Sequence, residues 1–297
     1  MASVVAGKCS RLDPFHSMGR RTKTLRPGFH HPKCDVTQTR GEERRMPLHE
    51  QTLQRLGLSF TVRDIMISKE HLVSASAKAE APAVSERYPQ YNVIPILEGG
   101  ILVEFYERDK KASRPITVQD LVGSDTSIMG LVEVLSDREF CFALVGNEIG
   151  GYAHFSDLNN PIVKLTFYVI FEAFERHLLL AINPVTEEEI QRNLGQARLN
   201  RIRDEMRKAQ ADNANLSLSL ESFLFLPEIL RIAIAKGKLA QDKEQDKSIR
   251  AFRNRVSHAG WSLIQRHGDV KALVEVKRFC LSVLDGETQV QSRSAQP

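Results

Sequence analysis

Long hydrophobic runs are missing from this chain of 297 residues. No eighteen consecutive apolar residues occur, which excludes a simple spanning helix. The densest apolar stretch, 162–182, is broken by Lys164, Glu172, Glu175, Arg176 and His177. Cysteine is scarce: Cys9, Cys34, Cys141 and Cys280 form no CxxC pair, which excludes a disulfide scaffold and points to a reducing, cytoplasmic setting. A large charge excess is also missing, with 41 Lys and Arg against 37 Asp and Glu, so the global balance does not argue for nucleic acid. What is present, 42% hydrophobic and 26% charged residues, is ordinary globular composition and excludes a wholly disordered chain.

The charge is unevenly placed. Residues 1–46 hold ten Lys and Arg against four Asp and Glu, a net of +6, which leaves −2 for residues 47–297. This arm has no helical or strand period, and its prolines and RRTK run (Arg20 to Lys23) read as disorder. It lacks the apolar region of a secretory signal. Its prolines and poor amphipathicity argue against a transit peptide. Cys9, His16, His30, His31 and Cys34 lack paired metal-ligand spacing, so no metal site is expected. Met46 directly precedes the first amphipathic segment, 47–56, and reads as the start of the working chain, with the arm dispensable. A second disordered tail is expected at 286–297.

Residues 58–160 alternate. TVRDIMI (Thr61 to Ile67) opens a first unit, and 77–90 reads as a short helix and loop. NVIPIL and ILVEFY, at 92–97 and 101–106, flank Gly99-Gly100, a hairpin signal. The pattern then recurs. ITVQDLV (Ile116 to Val122) opens a second unit. Ile128, Leu131, Val132 and Leu135 have the spacing of one helix face. REFCFALV and IGGYAHF, at 138–145 and 149–155, flank Gly146-Asn147 and predict a second hairpin. An internal repeat of roughly fifty residues follows, each copy ending in a polar loop.

This segment resembles a pair of CBS domains. In that family a hairpin ends in Gly-apolar-apolar-Thr-x-x-Asp, where the Asp holds a ribose and the hydroxyl approaches a phosphate. Gly151 to Asp157 keeps the Gly and the Asp, with His154 in the Thr place and Ser156 an added hydroxyl. Val103 to Asp109 keeps only the Asp, with Tyr106 in the Thr place. The resemblance implies an adenine nucleotide as a regulatory ligand, bound through Asp157, Ser156 and His154, with Asp109 in the first copy. Chemically, a carboxylate after a strand end suits two adjacent hydroxyls, and a protonated His154 suits a phosphate. Two plainer readings stand beside these. Asp157 can cap the helix that follows, and Asp109, before Lys110 and Lys111, can be a solvated loop residue.

From Pro161 strand signals stop and helices are expected at 161–182, 187–212, 219–236 (starting or kinking near Pro227), 246–259 and 269–285, an up-down bundle. Glu172 and Arg176 form an i, i+4 pair on the first. Thr186 caps the second. The second helix carries an apolar stripe (Ile190, Leu194, Ala197, Leu199, Ile202, Met206). Its opposite face, with Arg192, Arg198, Arg201, Arg203, Arg207 and Lys208, is either an RNA path or a solvated surface. Asn213 and Asn215 mark a break after it.

Within the fourth helix lies Arg253-Asn254-Arg255-Val256-Ser257-His258. This resembles the RNxxxH motif of HEPN-type helical domains, whose catalytic members dimerise and cut RNA without a metal. The resemblance implies Arg253 on the scissile phosphate, His258 as general acid or base, and Asn254 as its orienting group. Asn254 and His258 lie about 40° apart around a helix, but Arg253 and His258 about 140° apart, so convergence needs the helix to end near His258. Gly260 offers such an end. Glu172 or Glu175 could orient the cluster. The plainer reading is a surface Arg and a C-capping His. Trp261 is either a base-stacking ring or a half-buried hinge aromatic.

The expected architecture is therefore α+β and multidomain. A disordered arm (1–46) precedes an α/β CBS-like tandem (47–160), an all-α HEPN-like bundle (161–285) and a tail (286–297). The main functional expectation is a nucleotide-regulated, metal-independent endoribonuclease. It would act as a homodimer on RNA, with no cofactor for catalysis and no membrane. The alternative is a non-catalytic regulatory module that binds an adenine nucleotide.

Overall fold

A computed structural model describes residues 60–212, 218–240 and 242–286. The basic arm, the amphipathic segment 47–56, the break at Asn213 and Asn215 and nearly all of the tail lie outside the described residues.

The chain opens on a 3-10 turn, Val62–Asp64, followed by a two-residue strand β1 (Ile67–Ser68). Helix α1 (Ala81–Arg87) leads to the hairpin β2 (Val93–Glu98) and β3 (Ile101–Glu107). Gly99 and Gly100 have φ of 59° and 82°, the left-handed region where only glycine is unstrained, so the Gly-Gly pair is what lets this turn be two residues long. The polar loop expected next instead holds a third strand, β4 (Ala112–Pro115), antiparallel to β3. Its sequence, ASRP, has neither β-branched residues nor alternation. It is an edge strand held by its neighbour's hydrogen bonds rather than by burial.

The second copy repeats the scheme: a 3-10 turn, Val118–Asp120, then β5 (Leu121–Gly123), α2 (Ile128–Asp137), β6 (Phe140–Val145) and β7 (Glu148–His154). The two opening turns use one device. The backbone N–H of Thr61 donates to Asp64 at 2.7 Å, and that of Thr117 donates to Asp120 at 2.9 Å. Strand β1 leaves its own copy and pairs antiparallel with β7, giving one sheet in the order β1-β7-β6-β5, while β2-β3-β4 form the other. A Cβ on Gly151 would stand 2.8 Å from the Ile67 carbonyl oxygen, so glycine is required for β1 to approach. Aromatic rings join the sheets: Phe105 of β3 meets Phe140 and Phe142 of β6 at 5.3 and 5.5 Å.

Asn160 caps α3 (Pro161–Ile182), its side-chain oxygen accepting from the Ile162 N–H at 2.9 Å. Asp157 therefore does not cap this helix. After α3 the helices are α4 (Glu187–Leu194), α5 (Gln196–Asp212), α6 (Leu226–Ala235), α7 (Lys243–Ser257) and α8 (Gly268–Leu284). Several expectations are corrected here. The single helix expected at 187–212 is broken at Gly195, whose φ of 93° ends α4. The break shifts the helical phase, so Ala197 is exposed while Ile190, Leu199 and Ile202 are buried. Of the two expectations for 219–236, a start near Pro227 holds: the helix begins at Leu226, after a separate 3-10 turn at Leu220–Phe223. Helix α7 stops at Ser257, before Gly260. Glu172 and Arg176 form no ion pair, since both point into water. Thr186 caps α4 as expected, accepting from Glu189 at 3.2 Å.

Helix α3 is the axis of the helical part, with α6, α7 and α8 packed against it, and α8 also packs against α2 of the second copy. One continuous core runs from Val62 through Leu131, Phe174 and Ile249 to Val283. A small second core lies under the first hairpin, at Ala75, Ala81, Ile94, Ile96 and Tyr106. The architecture is α+β, with strands confined to 67–154 and long helices to 161–284. Among the described residues no helix is long and apolar enough to cross a membrane.

Candidate functional site

A cleft of about 330 Å³ opens between the two sheets. One side is the start of the first copy, from Ile67 through His71 to Val73 and again from Gln90 to Pro95. The other is Glu139 and Phe140 at the head of β6 and the segment from Tyr152 to Asp157. These pieces meet because β1 crosses to β7, placing the loop after β1 over the end of that strand.

Three of the four expected nucleotide contacts, His154, Ser156 and Asp157, line this cleft. Asp157 belongs to the 3-10 turn Phe155–Asn159 and accepts the His154 backbone N–H through Oδ2 at 2.8 Å. This is the third use of the opening-turn device. Among the described residues Oδ1 has no hydrogen-bond partner. Burial raises the Asp157 carboxyl above the usual range, with the His154 N–H opposing it. Such an oxygen gains from a ligand hydroxyl donor more than a solvated carboxylate would.

His154 sits in a ladder of rings. Its imidazole lies 6.5 Å from Tyr152 with planes 9° apart, and 4.2 Å from Phe155. Nδ1 accepts from the Ser156 backbone N–H at 3.2 Å and lies 2.8 Å from the Ser156 hydroxyl. Burial lowers its pKa, Glu139 opposes, and His267 lowers it further. The cationic form expected to meet a phosphate is therefore disfavoured. Burial likewise pushes the Tyr152 phenol upward, so it stays protonated. Asp109 does not join the cleft; it is exposed in the turn between β3 and β4, beside Lys110 and Lys111.

The cleft is tied to the helical part. Asn159, in the same turn as Asp157, donates to the Ile264 carbonyl and accepts the Ile264 N–H, both at 2.9 Å. His267 lies 2.8 Å by Nε2 from the Leu135 carbonyl oxygen, and its ring is 5.5 Å from Phe155. Ile264 and His267 belong to the loop between α7 and α8, which begins at His258.

That loop carries the other candidate set. His258 is the residue after α7, with φ −105° and ψ 113°, so the helix ends there as convergence requires. Its ring is exposed and lies 4.8 Å from Trp261, which is 55% exposed. Arg253 points to α3, with a nitrogen 3.5 Å from Glu175 Oε2. Burial raises the Glu175 carboxyl, Arg253 opposes, and nearby Glu172 adds to the rise. Asn254 and Glu172 are exposed. Among the described residues neither Arg253 nor Asn254 makes a side-chain bond to His258. Three of the six basic residues on the face weighed as an RNA path or a solvated surface are paired with carboxylates of the chain. Arg198 binds Glu228 at 2.6 Å, Arg203 pairs with Glu187 and Arg207 with Asp204.

Sequence reading missed the half of the cleft built from 67–73, 90–95 and Glu139. Asn92-Val93 and Glu139-Phe140 stand at equivalent places, one residue ahead of each hairpin. Aligning the copies was the available signal.

No family model matches this chain, and no curated protein matches it. Two solved structures are similar to part of it. One is the CBS domain of the bacterial CNNM/CorC family Mg2+ transporter in complex with ATP, 13% identical with a TM-score of 0.30, covering 40% of this chain and 94% of that one. The other is the same kind of domain in complex with the inhibitor IGN95a, 15% identical with a TM-score of 0.29, covering 39% of this chain and 82% of that one.

Proposed function

We propose that this chain is a regulatory module in which a CBS-like pair binds an adenine nucleotide and transmits its presence to the helical part. The observation that carries this reading is the Asp157 carboxylate, with Oδ1 uncommitted on the wall of an aromatic-lined cleft. The carboxylate would take the ribose hydroxyls, and the rings of Tyr91, Phe140 and Phe155 would take the base. Transmission would run through Asn159 and His267 to the loop between α7 and α8, which share the 154–159 turn with the ligand. Ligand can shift that loop only as far as it binds one arrangement better than the other. Calorimetry and thermal melting with adenine nucleotides test the reading. Ligand at a hundredfold excess over Kd stabilises by about 2.7 kcal/mol. Asp157→Asn, which keeps a cap acceptor for His154, removes most of that gain. Absence of binding, or equal binding to Asp157→Asn, refutes it.

A second reading keeps the helical part as a HEPN-type endoribonuclease acting as a homodimer. The observation in its favour is the Arg253–Glu175 ion pair next to a helix that ends at His258. RNA cleavage in EDTA by the wild type, lost in His258→Ala, is its test. Wild-type protein that leaves RNA intact with and without nucleotide refutes it.

A further inference from the structure

Recognition of a phosphate needs cationic side chains, unpaired backbone N–H groups or a helix N-terminus. The cleft offers little of any. Among the described residues, none of the sixteen that line it is Lys or Arg. Its formal charges are the carboxylates of Glu139 and Asp157, and its two bases are His71 and His154. Arg138, beside Glu139 in sequence, is not part of the wall. Three consecutive N–H groups in the binding turn are already used. His154 N–H goes to Asp157 at 2.8 Å, Phe155 N–H to the Glu139 carbonyl at 2.8 Å, and Ser156 N–H to His154 Nδ1 at 3.2 Å. The start of α3 lies beyond the wall, and Asn160 occupies its Ile162 N–H. The volume of about 330 Å³ is at the low end of small-molecule sites.

We infer that the cleft selects a nucleoside without phosphate, so that adenosine binds better than AMP and AMP better than ATP. This rests on the reading of the cleft as the adenine-ligand site and narrows that ligand from nucleotide to nucleoside. An uncharged nucleoside finds an acceptor for its hydroxyls at Asp157 Oδ1 and ring faces for its base. A 5′-phosphate meets two carboxylates and no fixed cation.

The experiment is calorimetric titration of the full chain with adenosine, AMP and ATP, for wild type, Asp157→Asn, Glu139→Gln and Glu139→Lys. Glu139 has an exposed side chain, so both of its substitutions are compatible with folding, and circular dichroism verifies this. The expected order is adenosine, AMP, ATP. Against a phosphate of nearly two charges at about 6 Å in water, removing one carboxylate narrows the adenosine-to-AMP gap about tenfold in Glu139→Gln, and reversing its charge about a hundredfold in Glu139→Lys. AMP or ATP binding tighter than adenosine, with both lost in Asp157→Asn, overturns this inference and leaves the cleft as a nucleotide site. The same order with an unchanged gap in both Glu139 variants overturns its electrostatic basis. If none of the three ligands binds, the cleft reading fails together with the inference.

Discussion

Replacing Glu133 by alanine should destabilise the chain more than replacing Lys277 by methionine, although both break the ion pair between them. The pair joins α2 of the second copy to α8 of the helical part. Lys277 is hydrogen-bonded to Glu133, its side chain is 8% exposed, and its other contact is the Met129 carbonyl oxygen at 3.5 Å. Glu133 is 32% exposed and also pairs with Arg278. Glu133→Ala therefore strands an ammonium in a dry place, which costs about 3 kcal/mol. Lys277→Met fills the same space with apolar atoms and leaves a partly hydrated carboxylate with Arg278, so its cost is about 1 kcal/mol or less. At about 2–4 °C per kcal/mol, the two melting temperatures should differ by several degrees. Burial alone would raise the Glu133 carboxyl, but the hydrogen bond and charge of Lys277, aided by Arg278, bring it below its ordinary 4.5. Stability from this lowered pKa is present above pH 4.5 and fades as pH falls below it, so the gap between wild type and Lys277→Met should shrink in acid. Urea unfolding followed by circular dichroism reads both effects. Lys277→Met costing as much as Glu133→Ala would refute the reasoning. Two separated transitions would refute the shared core between α2 and α8.

Asp120 accepts both Arg114 nitrogens at 2.8 and 2.7 Å. The Arg114 hydrogen bonds outweigh burial and hold its carboxyl at about 2. Asp120→Asn should cost about 1–2 kcal/mol after allowing for the exposed side of Arg114. The wild-type advantage should hold above pH 3.8 and disappear as pH falls to about 2, in an acid series of urea melts. Gly151→Ala should push β1 off β7 and cost about 1–3 kcal/mol, with faster hydrogen exchange in the peptide spanning Ile67; unchanged exchange there contradicts the close approach. Cys141 and Cys280 are fully buried. Burial pushes the Cys141 thiol to about 12 and the Cys280 thiol upward too, so iodoacetamide at pH 8 should label neither until urea is added. Peptide mass spectrometry of the native protein would show otherwise if either thiol is reactive.

Periodicity and turn chemistry are local, and what they govern was legible. The two hairpins, α2, the full length of α3 and the Thr186 cap all follow from residues within a few positions of each other. The helix break at Gly195 was equally local and was passed over because arginine and leucine periodicity continues across it. Strand β4 was not legible, because its pairing comes from β3 and not from its own residues. The motif residues Arg253 and His258 could be named in advance, but the partners they found, Glu175 and Trp261, depended on how α7 lies on α3.

By itself the sequence determined the twofold repeat, the α+β order and the residues Asp157, Ser156 and His154, because these depend on short-range pattern. Only the tertiary structure decided that they face a cleft whose other wall lies more than sixty residues away. It also decided that the Phe155 N–H is consumed by the Glu139 carbonyl and that no lysine or arginine stands among the described residues of the wall. The pairing of β1 with β7 brings the first copy's loop to the cleft, and the pairing of β6 with β7 brings Glu139 beside Phe155. Both are consequences of long-range packing that no local window contains.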